Sequence, residues 1–466
     1  MKNRSSLPLL AFVASLGGFL FGYDTAVISG TITMVKEQFM LNAAAEGWFV
    51  SSALVGCIIG VLVSGYLSDR FGRKPVMSIA ALLFTLSALG CMLAGNHSAL
   101  ILYRLAGGVG VGIASLICPV YLAEISPPRI RGRLVALYQF SIALGILAAY
   151  FVNAGLLRLS QDPDGFSQGW INWVVREETW RSMFGSGAIP ALIFTVLAAT
   201  VPESPRWLAL KGHPDKAMGV LMRLDPGSPV PVHEQTLQDI KSETGGKAPS
   251  VRNILKSGFG PVLLIGIALA MLQQLSGINA ILYYGPRILE TAGFSLSSAL
   301  GGQVIIGIVM VVFTVLAIWK VDRWGRRPML IIGATGALIS HILIGILFRS
   351  GISEGILMLV FILIFIACFA FSYGPVVWIC LSEIFPNQIR GRAMSIATLL
   401  LWGTNALLGQ VVPILLESFN ASYTFFGFAL FSIPTILITW LYLPETRGMT
   451  LESIEEYWTR RRKNRE

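Results

Sequence analysis

Two ionisable residues, Asp24 and Arg104, stand inside long apolar stretches of the sequence, where a charge is unexpected. A charged side chain at membrane depth costs at least about 2.5 to 3.5 kcal/mol, so such residues generally have a function. If the two stretches cross a bilayer in opposite directions, Asp24 lies about two thirds of the way across the first, and Arg104 about one or two turns inside the fourth, at a matching depth. We therefore expect the two side chains to meet.

A guanidinium next to a carboxylate favours the charged form of that carboxylate, which then takes up a proton poorly until the two groups separate. This chemistry suits a carrier that binds a proton in one conformation and releases it in another. Asp24 is therefore a candidate proton-coupling carboxylate, with Arg104 as its modulator. The alternative is a buried bridge that only holds two helices together.

Uncharged amides form a second group, in the run QQLSGINAILYYGP that starts at Gln273. On an ideal helix Gln273, Gln274 and Asn279 cover more than half of the circumference, so they cannot all face one cavity. Gly277 offers a break that would re-aim Asn279, and interrupted helices around a cavity are typical of transporter sites. Amides offer donors and acceptors, which suits a neutral, polyhydroxylated ligand. A helix-packing role for the two glutamines is the alternative.

Further polar and aromatic residues in apolar stretches extend this candidate site: Gln139, Trp378, Trp402 and Asn405. A buried tryptophan offers a flat face for the C–H face of a sugar ring. Trp378 lies near the end of its stretch, where a tryptophan at the membrane surface is the alternative.

The elements that must position these residues are membrane helices. The chain has 466 residues, of which 54% are hydrophobic and 13% charged, with a mean hydropathy of +0.70. That leaves too little polar surface to cover a soluble protein of this size. Windows of roughly 20 apolar residues predict an all-α membrane protein with twelve transmembrane helices, near 9–32, 47–67, 75–95, 99–122, 134–157, 182–201, 259–283, 297–319, 328–348, 354–381, 393–416 and 423–443.

Neither the histidines nor the cysteines have the spacing of metal ligands or of a disulfide framework. They are His97, His213, His233 and His341, and Cys57, Cys91, Cys118, Cys368 and Cys380. We expect no metal, no cofactor and, without a nucleophile and base pair inside a span, no enzyme activity.

The net charge of +10 is distributed unevenly about these spans. Of the 35 lysines and arginines, 28 lie in one set of alternate loops and the two termini, six lie on the opposite side, and one is Arg104. By the positive-inside rule both termini are cytoplasmic. The basic tail from Arg460 to Lys463 is then an anchor at the lipid surface rather than a nucleic-acid arm, and no nucleic-acid partner is expected.

The chain contains an internal duplication. LAEISPPRIRGR, which ends at Arg133, returns as LSEIFPNQIRGR, which ends at Arg392, and DRFGRKP from Asp69 returns as DRWGRRP from Asp322. Repeated sets of helices are typical of secondary transporters. We predict two pseudo-symmetric six-helix bundles, at 1–201 and 257–443. A cytoplasmic linker with short surface helices (202–256) joins them, and a cytoplasmic tail (444–466) follows.

Six motifs taken together resemble the sugar porter family of the major facilitator superfamily. They are GYLSDRFGRK from Gly65, YLAEISPPRIRGR from Tyr121, PESPRWL from Pro202, QQLSGINAILYY from Gln273, GPVVW from Gly374 and PETRG from Pro444. The likeness spans essentially the whole chain. It implies the major facilitator fold, in which two bundles rock around a central sugar site.

The resemblance also implies roles for individual residues. Those at positions where family members contact sugar are Phe21, Gln139, Gln273, Gln274, Asn279, Tyr283, Trp378, Trp402 and Asn405. Those at positions of the cytoplasmic charge networks that stabilise the outward-open state are Asp69, Arg73, Glu124, Arg133, Glu203, Asp322, Arg326, Glu383, Arg392 and Glu445. Exposed ion pairs are individually worth about 0 to 1 kcal/mol, so stabilisation needs the whole network.

The run FGYDTAVISG around Asp24 is similar to that of proton-coupled members, whereas passive facilitators commonly have an uncharged residue there. We therefore expect a proton-coupled symporter for a hexose or a pentose in a plasma or bacterial inner membrane, working as a monomer. A facilitator with the same site and no coupling is the alternative. A membrane sugar receptor without transport is a further one, although about 20 residues after Pro444 leave little room for a signalling tail.

Overall fold

The computed structural model describes residues 7–127, 130–162, 169–242, 259–351, 355–386, 389–449 and 453–458. Within these residues twelve helical spans are long and apolar enough to cross a membrane, and no strand occurs. The predicted class and number of helices are confirmed. The basic tail at 460–463 and the end of the linker lie outside the described residues.

Nine of the spans are single helices and three are interrupted. The first half contains α1 (Leu7–Gln38), α2 (Ala43–Phe71), α3 (Arg73–Leu93), α4 (His97–Ile125), α5 (Arg131–Ser160), and α6 (Thr179–Ser186) with α7 (Ala188–Thr200). Three short helices follow: α8 (Pro205–Leu210), α9 (Pro214–Leu224) and α10 (Val230–Ser242). The second half contains α11 (Gly260–Leu275) with α12 (Ile278–Thr291), α13 (Leu296–Trp324), α14 (Arg326–Ser350), α15 (Gly355–Phe371) with α16 (Tyr373–Ile384), α17 (Arg390–Ser418) and α18 (Ala421–Leu441).

The short helices α8 and α9 each begin at a proline, a residue that favours the first helical position. Ser204 caps α8 because its Oγ accepts a hydrogen bond from the Trp207 backbone N–H at 3.2 Å. Apolar residues of all three helices, among them Leu208, Val220 and Leu237, bury a small core of their own. The first part of the linker is therefore an ordered helical element.

The chain divides into two compact units. Unit 1 comprises Met1–Phe39 and Ser52–Gly246, and unit 2 comprises Met40–Ser51 and Lys247–Glu466. The same pairs of spans pack within each unit: the first span with the fifth, and the third with the fourth and the sixth. This repeated packing is what an internal duplication requires. The first turns of α2 group with unit 2 rather than with the rest of their helix.

Close approach of α1 and α5 fixes the position of Asp24. A Cβ at Gly22 or at Gly145 would overlap a carbonyl oxygen of the facing helix, so the two backbones meet only because both residues are glycine. Near Asp24 on the same helix, the Val27 carbonyl accepts a hydrogen bond from Asn153 Nδ2 at 3.1 Å. Asp24 therefore projects from a helix held at fixed register.

Helix α4, which carries Arg104, is held against α2 in the same way. Two pairs of glycines spaced four residues apart, Gly56 with Gly60 and Gly108 with Gly112, lie at this interface. A Cβ at any of the four would overlap a carbonyl oxygen of the partner helix. The backbones of the two helices are therefore in close contact directly after Arg104.

Candidate functional site

Arg104 and Asp24 form an ion pair among the helices of unit 1. Arg104 Nη1 lies 3.2 Å from each carboxylate oxygen of Asp24. The Arg104 side chain is 3% exposed and that of Asp24 18%. The structure thus brings together the two residues that the sequence places at one depth. The role of Asp24 in proton coupling stays a prediction.

Side chains of α6 contact Arg104 and the residue next to Asp24. The ring centre of Phe184 is 5.6 Å from the guanidinium carbon of Arg104. Tyr23, the neighbour of Asp24, is hydrogen-bonded to Ser186 Oγ at 2.6 Å. Because Ser186 donates its own hydrogen to a backbone carbonyl, Tyr23 is the donor. The interrupted sixth span therefore fixes both the arginine and the helix that carries the aspartate.

The seventh span is interrupted between α11 and α12, at Ser276 and Gly277. Gly277 has a φ of +84°, in the left-handed region that favours glycine, and a Cβ there would lie 2.6 Å from the Phe428 ring. The break that the sequence predicts is present. Asn279 therefore stands on a different helix from the two glutamines that precede the break.

Hydrogen bonds join three amides across this break, and we call Gln273, Gln274 and Asn279 the amide chain. Asn279 Nδ2 donates to Gln274 Oε1 at 2.5 Å, and Gln274 Nε2 donates to Gln273 Oε1 at 3.2 Å. Gln273 Nε2 donates to the Tyr373 carbonyl at 2.7 Å, at the interruption between α15 and α16. A primary amide has two N–H donors and two acceptor lone pairs, so each member retains capacity for the hydroxyl groups of a ligand.

Tyr283 on α12 and Asn405 on α17 form a second polar contact. The two heavy-atom distances, 3.4 Å from Tyr283 Oη to Asn405 Oδ1 and 3.3 Å from Asn405 Nδ2 to Tyr283 Oη, exceed the usual range. Trp402 is buried one turn before Asn405, and Trp378 is half-buried on α16. The contact between Tyr283 and Asn405 is therefore weak, and both side chains keep capacity for other hydrogen bonds.

The two remaining candidate sugar residues belong to unit 1. Phe21 is half-buried on α1, three residues before Asp24, and Gln139 is half-buried on α5. The side-chain amide of Gln139 forms no hydrogen bond with another described residue, so it is available to a ligand.

The charged motifs form one cluster in each unit, built in the same way. In unit 1, Arg73 pairs with Glu124 at 2.9 Å and with Asp69 at 3.6 Å, and its backbone N–H donates to Glu203 at 2.9 Å. In unit 2 the repeated motifs make the corresponding contacts. Arg326 pairs with Glu383 at 2.9 Å and with Asp322 at 3.1 Å. Its backbone N–H donates to Glu445 at 3.0 Å. The duplicated motifs therefore carry duplicated geometry.

Arg133 and Arg392 are not brought into these clusters. Both are exposed in the first turn of a helix, α5 and α17 respectively. Neither forms an ion pair with another described residue. Their part in a charge network stays a prediction.

Sequence reasoning misses an acidic and basic cluster in unit 2. Arg287 on α12 pairs through Nη1 with Glu46 at the start of α2, and through Nη2 with Glu417 at the end of α17, at 3.0 Å. Glu46 is fully buried. The only signal in the sequence is an acidic residue next to the apolar window that starts at 47.

A second missed cluster lies in unit 1, beside α6. Arg181 lies against the rings of Trp173 and Trp180, with its guanidinium carbon 4.5 and 4.3 Å from their centres, and its Nε donates to Glu178 at 2.7 Å. Partial burial acts to raise the pKa of Glu178, but hydrogen bonds from Gln38, Trp173 and Arg181 outweigh it and leave this pKa below its usual range.

The fold and the site define the class of this protein. Twelve apolar helices, three of them interrupted, carry a buried ion pair and buried amides, and no cluster of three or more metal-ligating side chains occurs among the described residues. These are features of a multi-pass membrane transporter.

Comparisons with known proteins define the class more narrowly. The family described as "Sugar (and other) transporter" matches residues 10–458. The chain is 42% identical to the arabinose-proton symporter of Bacillus subtilis, over 97% of this chain and 94% of the relative. It is 39% identical to the D-xylose-proton symporter of Escherichia coli, over 98% and 96%.

Solved structures agree with these relatives. The inward open conformation of the xylose transporter XylE from Escherichia coli matches with a TM-score of 0.82 and 37% identity, over 97% of this chain and 100% of that one. XylE bound to 6-bromo-6-deoxy-D-glucose, described as a major facilitator superfamily protein, matches with a TM-score of 0.79 and 39% identity, over 98% and 100%. The chain therefore belongs to the sugar transporter family, has the major facilitator fold, and is a transporter rather than an enzyme.

Proposed function

We propose that this protein is a proton-coupled symporter that imports a monosaccharide by alternating access. The observation that carries the proposal is the buried contact between Asp24 and Arg104. Protonation would remove the negative charge that attracts the Arg104 guanidinium, which links proton binding to the conformation of the pair. The relatives named as proton symporters for arabinose and xylose support the same function.

The sugar would bind at the amide chain, with Tyr283 and Asn405 beside it. These groups are uncharged and buried, as a neutral ligand with many hydroxyl groups requires. A pentose is the first substrate to test, since both named relatives carry one.

The orientation follows from the basic loops. Both termini and the two charged clusters would face the cytoplasm of a bacterium, with the protein in its inner membrane as a monomer. There the clusters would stabilise the outward-open state together, because single exposed pairs are weak. Cysteine labelling from each side of sealed vesicles at Asp215 and Arg158, which are exposed on α9 and α5, tests this orientation; labelling of both from one side contradicts it.

The function is tested with purified protein in proteoliposomes that hold an imposed pH gradient, acid outside. Labelled D-xylose and arabinose should accumulate in the vesicles with the gradient, and should only equilibrate without it. Asp24→Asn should lose accumulation but keep sugar exchange. The matched control Asp215→Asn removes an exposed carboxylate from the surface helix α9 and should accumulate normally.

Two results would contradict coupling. Asp24→Asn protein that still concentrates sugar against its gradient removes the proton role from this carboxylate. Parent protein that equilibrates sugar equally well with and without the pH gradient is a facilitator. If neither pentose is transported, a panel of hexoses in the same vesicles decides whether the error lies in the sugar or in the function.

A further inference from the structure

His341, on α14 of unit 2, is a fully buried ionisable residue that neither the ion pair nor the amide chain includes. Its ring lies among three aromatic rings, with centres 4.2 Å from Phe365, 5.8 Å from Phe425 and 5.7 Å from Phe428. Its Nε2 is 2.8 Å from the Ser276 carbonyl oxygen. A carbonyl oxygen only accepts, so Nε2 carries the hydrogen and donates it.

The acceptor of this hydrogen bond is the backbone at the break of the seventh span. Ser276 follows the last residue of α11 and precedes Gly277, whose left-handed conformation ends the regular helix. Carbonyl groups near a helix end lack some of their helical partners, and a buried carbonyl needs another donor. His341 supplies that donor from a neighbouring helix.

The amide chain spans this same break. Gln273 and Gln274 lie directly before it and Asn279 directly after it, joined by the hydrogen bond from Asn279 to Gln274. Ser276 Oγ also donates to the Gln273 carbonyl at 2.6 Å. A change in the backbone at Ser276 therefore changes the angle between the two helices that carry the three amides.

Other contacts restrict where His341 can move. Gly277 packs against Phe428, which is one of the three rings around the imidazole. The Phe428 ring therefore lies next to both His341 and the break. Nδ1 of His341 is buried and has no hydrogen-bond partner among the described residues. The contact with Ser276 is therefore the one hydrogen bond that orients this ring within the described chain.

We propose that His341 is a positioning residue for sugar recognition: by holding the Ser276 carbonyl it sets the geometry of the amide chain. Its side chain forms no hydrogen bond with a member of the amide chain and acts through the backbone of the break. This inference rests on the proposed function, because it assumes that the amide chain binds the transported sugar.

Three variants of His341 separate the effect of the hydrogen bond from the effect of side-chain volume. His341→Gln places an amide N–H at the same number of bonds from Cα as Nε2, whereas His341→Asn places the same group one bond short. His341→Leu removes the donor and fills the space. Ser340→Ala is the control, since it removes a buried hydroxyl next to His341 that has no partner among the described residues.

The experiment measures initial rates of labelled D-xylose and arabinose uptake in proteoliposomes, together with the melting temperature of each purified protein. We expect His341→Asn and His341→Leu to raise KM about tenfold, the value of one lost hydrogen bond, with the maximal rate nearly unchanged. His341→Gln and Ser340→Ala should stay within about threefold of the parent KM.

Equal KM values for the Gln and Asn variants would overturn the inference, and so would an unchanged KM in His341→Leu. If the Leu variant does not fold, the Gln and Asn pair decides alone. If the Asn variant also fails to fold, the contact serves folding and the inference is wrong. Parent protein that transports no sugar shows instead that the proposed function is wrong, and the inference falls with it.

Discussion

A single nitrogen of Arg104, Nη1, donates to both carboxylate oxygens of Asp24, each at 3.2 Å. In a bidentate arginine–carboxylate pair, two guanidinium nitrogens donate in parallel to the two carboxylate oxygens at shorter distances. Arg104 Nε is buried without a hydrogen-bond partner among the described residues. The ion pair is therefore weaker than a bidentate pair between the same two residues would be. A weak contact of this kind suits a pair that must open during a transport cycle.

The single-nitrogen contact predicts how substitutions of Arg104 behave. A lysine also offers one charged nitrogen, so Arg104→Lys should keep most of the pH-driven accumulation of sugar. Arg104→Gln offers a donor without charge and should lose accumulation while sugar exchange continues. Accumulation ratios in proteoliposomes measure the difference. Arg158→Gln, a change at an exposed arginine, is the control, and a Gln variant at position 104 that accumulates like this control contradicts the prediction.

The contacts of Glu178 predict a pH-dependent contribution to stability. Its pKa is lowered in the folded protein, by hydrogen bonds that outweigh partial burial, from an unfolded value of about 4.3. A lowered pKa stabilises the fold above the unfolded pKa, and this contribution is lost as the pH falls through the folded pKa. Glu178→Gln should therefore cost about 1 to 2 kcal/mol at pH 7 and progressively less below about pH 4.

The neighbouring residue provides the control for this prediction. Glu177 is exposed, and within the described chain its carboxylate accepts a hydrogen bond only from Asn172, so Glu177→Gln should change stability little at any pH. Thermal unfolding between pH 7 and pH 3.5 measures the stability of the parent, Glu178→Gln and Glu177→Gln. A constant difference between the parent and Glu178→Gln across this range contradicts the prediction.

The cluster around Arg287 predicts a different effect. Arg287→Met removes the guanidinium that pairs with the fully buried Glu46, and breaking a buried pair from one side is more costly than replacing both partners. We expect the single variant to lose about 2 to 3 kcal/mol of stability and Glu46→Gln with Arg287→Met together to recover part of that loss. Thermal unfolding of the two single variants and the double variant measures the coupling, and additive losses contradict it.

Membrane thickness explains what the sequence predicts well. Spans must cross a fixed apolar distance, so hydropathy finds all twelve helices, and Asp24 and Arg104 can be placed at one depth from position alone. The helices extend beyond the apolar windows because helical structure continues into the polar interface. The first ends at Gln38 rather than near 32, for example, and there it reaches Glu178.

Rotation and long-range contact explain what the sequence does not predict. Hydropathy does not indicate which way a residue faces, so nothing marks His341 as the partner of Ser276 or Glu46 as the partner of Arg287. The three amides illustrate both sides of this limit. Helical geometry shows that they cannot share one face, and the break at Gly277 could be predicted. The hydrogen bonds across the break depend on the angle between the two helices, which hydropathy does not indicate.

The amide chain yields the last prediction. Gln274 occupies its centre, since it accepts from Asn279 and donates to Gln273. If the amide chain binds sugar as proposed, Gln274→Met should raise the KM for sugar about tenfold or more, because both neighbours lose their hydrogen bond to Gln274. Gln303→Met is the matched control: that amide is buried as well, but it donates to the Ile281 carbonyl and not to a member of the amide chain. It should lower stability and leave KM within about threefold of the parent. Uptake kinetics and thermal unfolding, measured for both variants, separate an effect on sugar affinity from an effect on stability. An equal rise in KM for both variants would contradict the prediction. It would mean that burial of an amide, rather than membership of the amide chain, determines sugar affinity.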